Sequence, residues 1–247
     1  MSYAFSPEHP TEALARAQQH WQERRAETPA SEPSAPTAFT IAFSREAGTG
    51  GAAIAREVAN RLAWPLYDRE LLQRIADDMG VRRSLLESVD ERQVGWVSEN
   101  LANLFAVPQA NQFAYVRQLV ETLLSLATLG KCVIVGRGAI AVLPRATTLR
   151  VRVVAPLEHR ILAVQVEQST TFEEAAARVE RTDRERRCFV SDHFQVDPMD
   201  LANYDLILNA ARFSPGKCAD LIIAAFDQLR MHSKASRSAP CARTFAV

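Results

Sequence analysis

Disulfides, metals and membranes find little to work with in this sequence. Its four cysteines, Cys132, Cys188, Cys218 and Cys241, lie far apart and form no CxxC pair. That spacing excludes a zinc knuckle and a disulfide framework and fits reduced thiols. The histidines show no metal-ligand spacing, so no protein-bound metal is expected. Aromatic residues make up only 7% of 247 positions, and small aliphatic side chains dominate, which suits a layered α/β fold better than an all-β one. Net charge is absent as well, with 29 Lys and Arg against 29 Asp and Glu. The global balance therefore points to no nucleic-acid or membrane partner. No apolar run approaches the roughly 20 residues needed to span a bilayer. The first 21 residues carry acids and lack an apolar core, so no signal peptide is expected there and a cytoplasmic location is.

What is present divides the chain in three. Residues 1–38 combine a short charged helical pattern near 10–25 with a stretch rich in Pro, Ser, Ala and Thr. Such a composition buries too little apolar surface to offset its ordering entropy, so a flexible extension is expected. Residues 232–247 give the same expectation of a flexible tail. The folded body spans 39–231.

Within that body short β-branched runs alternate with helical periods. Strands are expected at 39–43, 64–68, 131–135, 149–155 and 204–209. Helices are expected at 52–62, 69–79, 156–168, 172–190 and, from the Ser214 cap and Pro215, 214–230. A long helical region occupies 82–129 with a break at Pro108. Its Trp96, Leu101, Leu104, Phe105 and Phe113 read as core or as a contact between copies. Strands separated by helical crossovers predict a parallel sheet covered on both faces. Ligands of such sheets bind at the carboxyl ends of the strands.

The first strand leads into Ser44-Arg45-Glu46-Ala47-Gly48-Thr49-Gly50-Gly51 and then a helix. Backbone N–H groups of such a turn, with the helix N-terminus behind them, form an anion nest, and glycine lets a phosphate reach the backbone. The standard phosphate loop reads GxxxxGK[ST], its lysine touching the β and γ phosphates and its hydroxyl helping to hold Mg²⁺. Here Gly51 stands at the lysine position, followed by Ala52 and Ala53. Arg45, Thr49 and Arg56 are the neighbours that could supply part of the missing chemistry.

A second charged feature is the crowd Arg178, Arg181, Asp183, Arg184, Glu185, Arg186 and Arg187. Arg178, Arg181, Arg184 and Arg187 follow one another at i, i+3, which predicts a stripe along roughly one helical face. Arginine suits phosphoryl transfer because it stays charged and binds phosphate oxygens bidentately. The stripe is expected to act as a lid. A solvated helix pairing internally with Glu173, Glu174, Glu180 and Glu185 is the alternative.

Three blocks, in order, carry a resemblance: FTIAFSREAGTGG-AAIAREVANRLAWPLYDRELLQRIA, CVIVGRGAIAVLP…LRVRVVAPLEHRI and ARVERTDRERRCFV…YDLILNAARFSP. Over residues 39–231 the chain resembles the cytidylate-kinase-like family, itself similar to bacterial cytidylate kinases. The resemblance implies a three-layer α/β domain of the P-loop nucleoside monophosphate kinase type. It would have a five-stranded parallel sheet, a helical insertion after strand two and an arginine-rich lid. It matches Gly48, Thr49, Gly50 and Gly51, with Arg45 beside them, to the phosphate loop, and Arg181, Arg184 and Arg187 to lid arginines on the donor phosphates. Asp68 matches the acid that ends strand two, although an aspartate there also caps the next helix well. Arg74 and Arg137 match arginines on the acceptor phosphate. Gly138 stands where cytidylate kinases carry an aspartate that helps read cytosine, and Arg69 where they carry a serine. The glycine at the lysine position is shared by the family.

The implied activity is ATP-dependent phosphoryl transfer, with Mg²⁺, to a nucleoside monophosphate such as CMP or dCMP. The missing lysine and hydroxyl favour, as an alternative, a nucleotide-binding protein without turnover. The altered base pocket favours kinase chemistry on another small acceptor. The partners expected are small-molecule nucleotides, and the oligomeric state is left open.

Overall fold

The computed structural model describes residues 10–27, 38–89, 91–104 and 114–238. The expected linker at 28–37, the end of the tail beyond 238, and Phe105, Pro108 and Phe113 lie outside the described residues. Five strands form a single parallel sheet: β1 (Thr40–Arg45), β2 (Leu66–Tyr67), β3 (Cys132–Val135), β4 (Thr148–Val154) and β5 (Leu206–Asn209), in the order β2-β3-β1-β4-β5. All five are the strands that the alternation of periods predicts.

Side chains leave the sheet on alternate faces, which is why two separate cores form. Ile41 and Phe43 of β1, Val133 and Val135 of β3, and Leu149, Val151 and Val153 of β4 face one layer. There they meet α2 (Gly51–Leu62) and α10 (Pro215–Ser238). Ala42, Cys132, Ile134 and Tyr67 face the other, which holds α3 (Arg69–Asp77), α4 (Met79–Glu87), α5 (Glu91–Leu104) and α6 (Ala114–Leu129). The result is a three-layer α/β domain with its helical insertion after β2. Trp96 packs against this second core and Leu101 is buried in it, while Leu104 is exposed. A third, small core joins Ala47 to α8 (Leu157–Gln168) and to the long α9 (Phe172–Phe194). The turn helix α7 (Ala139–Val142) follows β3. Among the described residues no helix is long and apolar enough to cross a membrane.

The N-terminal segment departs from the expectation of a flexible extension. Pro10–Glu27 is a helix, α1, whose Leu14, Ala17 and Trp21 are buried in the second core. Trp21 Nε1 donates to the Tyr67 hydroxyl at 2.8 Å, and Arg24 Nε donates to the Leu129 carbonyl at 2.6 Å. Three apolar residues at i, i+3 and i+7 make a seam too narrow to stand out in a charged sequence, and one tryptophan supplies most of its area. At the other end α10 runs through Ser238, so the expected tail is helical from 232 to 238.

His20 lies beside Trp21 and is buried, with Nδ1 3.4 Å from the Tyr67 hydroxyl. Burial, then the nearby Arg24 cation, pulls the His20 imidazole down to about 4. A histidine in the unfolded chain takes its proton near pH 6.5. Between these values the unfolded state binds more protons, so acid favours unfolding. Stability is expected in full above pH 6.5 and to fall as the pH drops toward 4, by on the order of 3 kcal/mol across the window. Urea unfolding at pH 7 and pH 4.5 measures the difference, and His20→Phe should flatten it. Separately, Trp21→Ala should lower stability by about 3–5 kcal/mol, the cost of a large buried truncation, and the same unfolding curves report it.

Candidate active site

The carboxyl ends of the strands open into a cleft of about 470 Å³, closed on its far side by α9. β1 delivers Ser44 and Arg45 to its floor. β3 delivers the turn Gly136-Arg137-Gly138, whose three residues all have positive φ, at 79°, 52° and 73°. The middle one is an arginine, for which left-handed backbone costs roughly 1–2 kcal/mol. That cost sets the Arg137 side chain into the cleft. Its guanidinium lies 5.7 Å from the Tyr115 ring and 5.3 Å from the Phe189 ring, and donates to Gln73 Oε1 at 3.1 Å. Arg137 Nε is buried without a hydrogen-bond partner, and burial pulls the side chain below the usual arginine value.

Two carboxylates join the wall behind the first loop to the lid. Glu46 lies 3.4 Å from Arg152 of β4 and 3.4 Å from Arg160 of α8. Asp183 of α9 accepts from the Ala47 backbone N–H at 2.7 Å and from Arg160 at 2.5 Å. Arg160 also donates to the carbonyls of Ala155 and Ala47. The loop presses so closely on α8 that a Cβ on Gly48 would fall 2.3 Å from the Arg160 carbonyl oxygen, so only glycine fits there.

The remaining cleft arginines have no such partners. Arg45, Arg69, Arg137, Arg186 and Arg187 line the cleft, and none forms an ion pair with a carboxylate among the described residues. Burial, and then the neighbouring Arg186, pulls Arg45 down to about 10. Arg186 donates to the Arg45 carbonyl at 3.1 Å and is itself pulled down, mainly by burial. Half-buried guanidinium groups held side by side make an anion site, because a bound anion removes both their repulsion and their desolvation cost.

The expected site residues divide between this cleft and its surroundings. Arg45, Arg137 and Arg187 line it; Gly48, Thr49, Gly50 and Gly51 stand behind it at the start of α2. Thr49 is engaged internally, its hydroxyl donating to the Glu46 carbonyl and accepting from Gly51 N–H. Asp68 caps α3, accepting from Leu71 N–H at 3.0 Å. Arg74 is exposed further along α3, away from the cleft lining. Arg184 is exposed and pairs with Glu180 at 2.5 Å. Arg181 lines a separate shallow hollow with Arg178 and Glu174.

The single arginine stripe along the lid therefore does not hold as one face. Each i, i+3 step falls about 60° short of a full turn, so Arg178 and Arg187 end about half a turn apart. The lid residues that reach the cleft are Thr182, Asp183, Glu185, Arg186, Arg187, Phe189 and Val190. Arg152, Arg160 and the ion-pairing roles of Glu46 and Asp183 escape a sequence reading. Their one signal is Arg150 and Arg152 alternating inside the otherwise apolar run LRVRVVA, charges on one face of a strand that is buried on both.

Comparison with known proteins agrees with the geometry. The family model described as the cytidylate kinase-like family matches residues 40–212. The chain belongs to the cytidylate kinase-like family. A cytidylate kinase from Methanopyrus kandleri is 33% identical over 86 residues, a match that spans 35% of this chain and 45% of that relative. A crystal structure of an uncharacterized protein from Eubacterium ventriosum shares the fold, with a TM-score of 0.63 and 21% identity over 77% of this chain and 98% of that one. A shikimate kinase from Bacteroides thetaiotaomicron superposes less closely, with a TM-score of 0.40 and 14% identity over 79% of this chain and 98% of that one.

In this member of the family the position after Arg137 has a steric reason to be glycine. A Cβ on Gly138 would lie 2.1 Å from Cε2 of Phe194, at the C-terminal end of α9. A side chain at 138 would require the Phe194 ring to move from where it stands, and with glycine there no side chain at this position reads a base. Gly138→Ala should lower stability by roughly 2 kcal/mol through this clash and the positive φ. Adding Phe194→Ala should return part of that loss. A double-mutant cycle by urea unfolding should show coupling of about 1 kcal/mol or more, whereas independent sites would add.

Proposed function

We propose that this chain transfers the γ-phosphoryl group of ATP to a nucleoside monophosphate, with CMP and dCMP as the first acceptors to test. The observation that carries this reading is the set of five arginines without carboxylate partners, gathered in one cleft at the carboxyl ends of a parallel sheet. Such a cluster matches the charge of two phosphate-bearing substrates rather than one. Membership of a kinase-like family and the stretch shared with a cytidylate kinase support it.

On this reading the donor phosphates lie between the first loop, with the N-terminus of α2 behind it, and Arg186 and Arg187 of the lid. Arg137 and Arg69 face them and hold the acceptor phosphate. An oxygen of the acceptor phosphate attacks the γ phosphorus, and the bond to the β–γ bridging oxygen breaks, leaving ADP. The attacking oxygen is already an anion, so no general base is required. Rate comes from alignment and from spreading positive charge over the transferring group. The Phe189 and Tyr115 rings flank the Arg137 guanidinium and help hold it in place.

The residues do not fit a protein-built magnesium site. Ala52 stands where the loop hydroxyl would be, Asp68 is spent on capping α3, and the described residues contain no cluster of three metal-ligating side chains. Magnesium in this reading arrives on the donor phosphates, where it offsets their charge.

One observation favours a second reading, nucleotide binding without turnover. Asp183 already occupies the Ala47 N–H, a carboxylate where a phosphate-binding loop would present a free donor. The two are separated by an ADP-release assay with ATP and Mg²⁺ against CMP, dCMP, UMP and a no-acceptor control. Acceptor-dependent turnover is expected, with kcat/KM for the acceptor falling about 10²-fold or more in Arg137→Ala. Folded protein that binds nucleotide yet turns over no acceptor would establish the second reading.

A further inference from the structure

We infer that Arg45 makes the cationic contact to the donor's β and γ phosphates that a lysine makes in the standard loop, the cation and the glycine having exchanged ends of the motif. The inference rests on the phosphoryl-transfer reading above. The standard order is glycine first, glycine sixth and lysine seventh. Counted from Arg45 this loop is arginine first, glycine sixth at Gly50 and glycine seventh at Gly51.

The two ends touch. A Cβ on Gly51 would sit 2.9 Å from Cβ of Arg45 and 3.3 Å from its Cδ. The arginine stem thus fills the space into which a side chain at 51 would emerge. Backbone conformation does not explain Gly51, since its φ is not positive and it takes the ordinary first position of a helix. What remains is the stem of Arg45 lying across it, with the Thr49 hydroxyl, 3.2 Å from the same Cβ position, as a second neighbour.

The other end of that stem is where a phosphate-loop cation belongs. Arg45 Nη1 lies 3.1 Å from the place a Cβ on Gly136 would take, so the side chain crosses from the end of β1 to the turn after β3. It stands between the first loop and Arg137, the junction across which a phosphoryl group would pass. Arg186 presses on it from the lid, and among the described residues neither makes a close ion pair with a carboxylate, although Glu70 and Asp68 act on Arg45, and Asp183 and Glu185 on Arg186, from further off. The alternatives within the loop are excluded by geometry: Thr49 is bonded internally, and Arg56 does not line the cleft. Nor does a lysine line the cleft among the described side chains: Lys131 stands at the far end of β3 and Lys217 pairs with Asp220.

The test compares wild type with Arg45→Met, which keeps most of the stem and removes the charge, with Arg45→Gly, with Gly51→Lys and with the exchanged pair Arg45→Gly/Gly51→Lys. Calorimetric titration with Mg-ATP, ADP and AMP is read beside thermal unfolding, which confirms that each variant is folded. Arg45→Met and Arg45→Gly are expected to weaken ATP and ADP by about tenfold or more and to leave AMP unchanged. Gly51→Lys alone is expected to lower the melting temperature, because its side chain meets the Arg45 stem. The exchanged pair should recover ATP affinity to within about threefold of wild type, with turnover following affinity. If Arg45→Met binds ATP as wild type does, or the exchanged pair binds no better than Arg45→Gly, the inference is overturned while the phosphoryl-transfer reading stands. If wild type binds neither ATP nor ADP, both fall together.

Discussion

Four charged side chains that the cleft cannot do without never face a ligand as free charges. Glu46, Arg152, Arg160 and Asp183 form a partly buried ladder from the first loop through β4 and α8 to α9. Burying charge is costly unless every partner is present, and removing one partner from such a set strands the others. The ladder therefore has one stable arrangement, and that arrangement fixes the distance between the loop and the lid. Gly48, with no room for a Cβ beneath the Arg160 carbonyl, shows how closely the two are drawn together.

With the ladder complete, the arginines that face the cleft are left without partners. Glu46 and Asp183 make their close ion pairs with Arg152 and Arg160, and neither makes one with Arg45, Arg186 or Arg187. A cleft with an equal number of acids and bases would pair internally and hold no anion. Here the pairing is concentrated in one wall and the excess positive charge is concentrated on the other side. The same wall fixes the lid through Asp183 on the Ala47 N–H, so admitting a phosphate at that amide requires the Asp183 contact to yield. The loop and lid are in this way two parts of one electrostatic unit rather than separate binding elements.

Much of the fold was legible because it depends on local period. Five β-branched runs between helical stretches specify a parallel sheet with helices on both faces, and each run became a strand. The glycine turns after β1 and β3 announced themselves by composition, and both lie at the cleft. The lid helix was legible as a helix, but the facing of its arginines was not. A spacing of three drifts around a helix, so of the arginines in the crowd only Arg186 and Arg187 look into the cleft. The docking of α1 was hidden for a different reason, since a single tryptophan on a charged helix reveals its partner only when Tyr67 is beside it.

The sequence by itself determined the order and type of the elements, the two glycine turns at strand ends, the absence of a loop lysine, and an abundance of arginine in the lid. These follow from side-chain period and backbone freedom, which act over a few neighbouring residues. Only the tertiary structure decided which arginines are paired and which are open, because that depends on carboxylates more than a hundred residues away in the chain, as between Glu46 and Arg152. It alone also gave reasons for the two glycines that depart from the expected motifs. Gly51 lies under the stem of Arg45, and Gly138 lies under the ring of Phe194. Both are contacts between atoms in space, and no pattern of spacing along the chain records them.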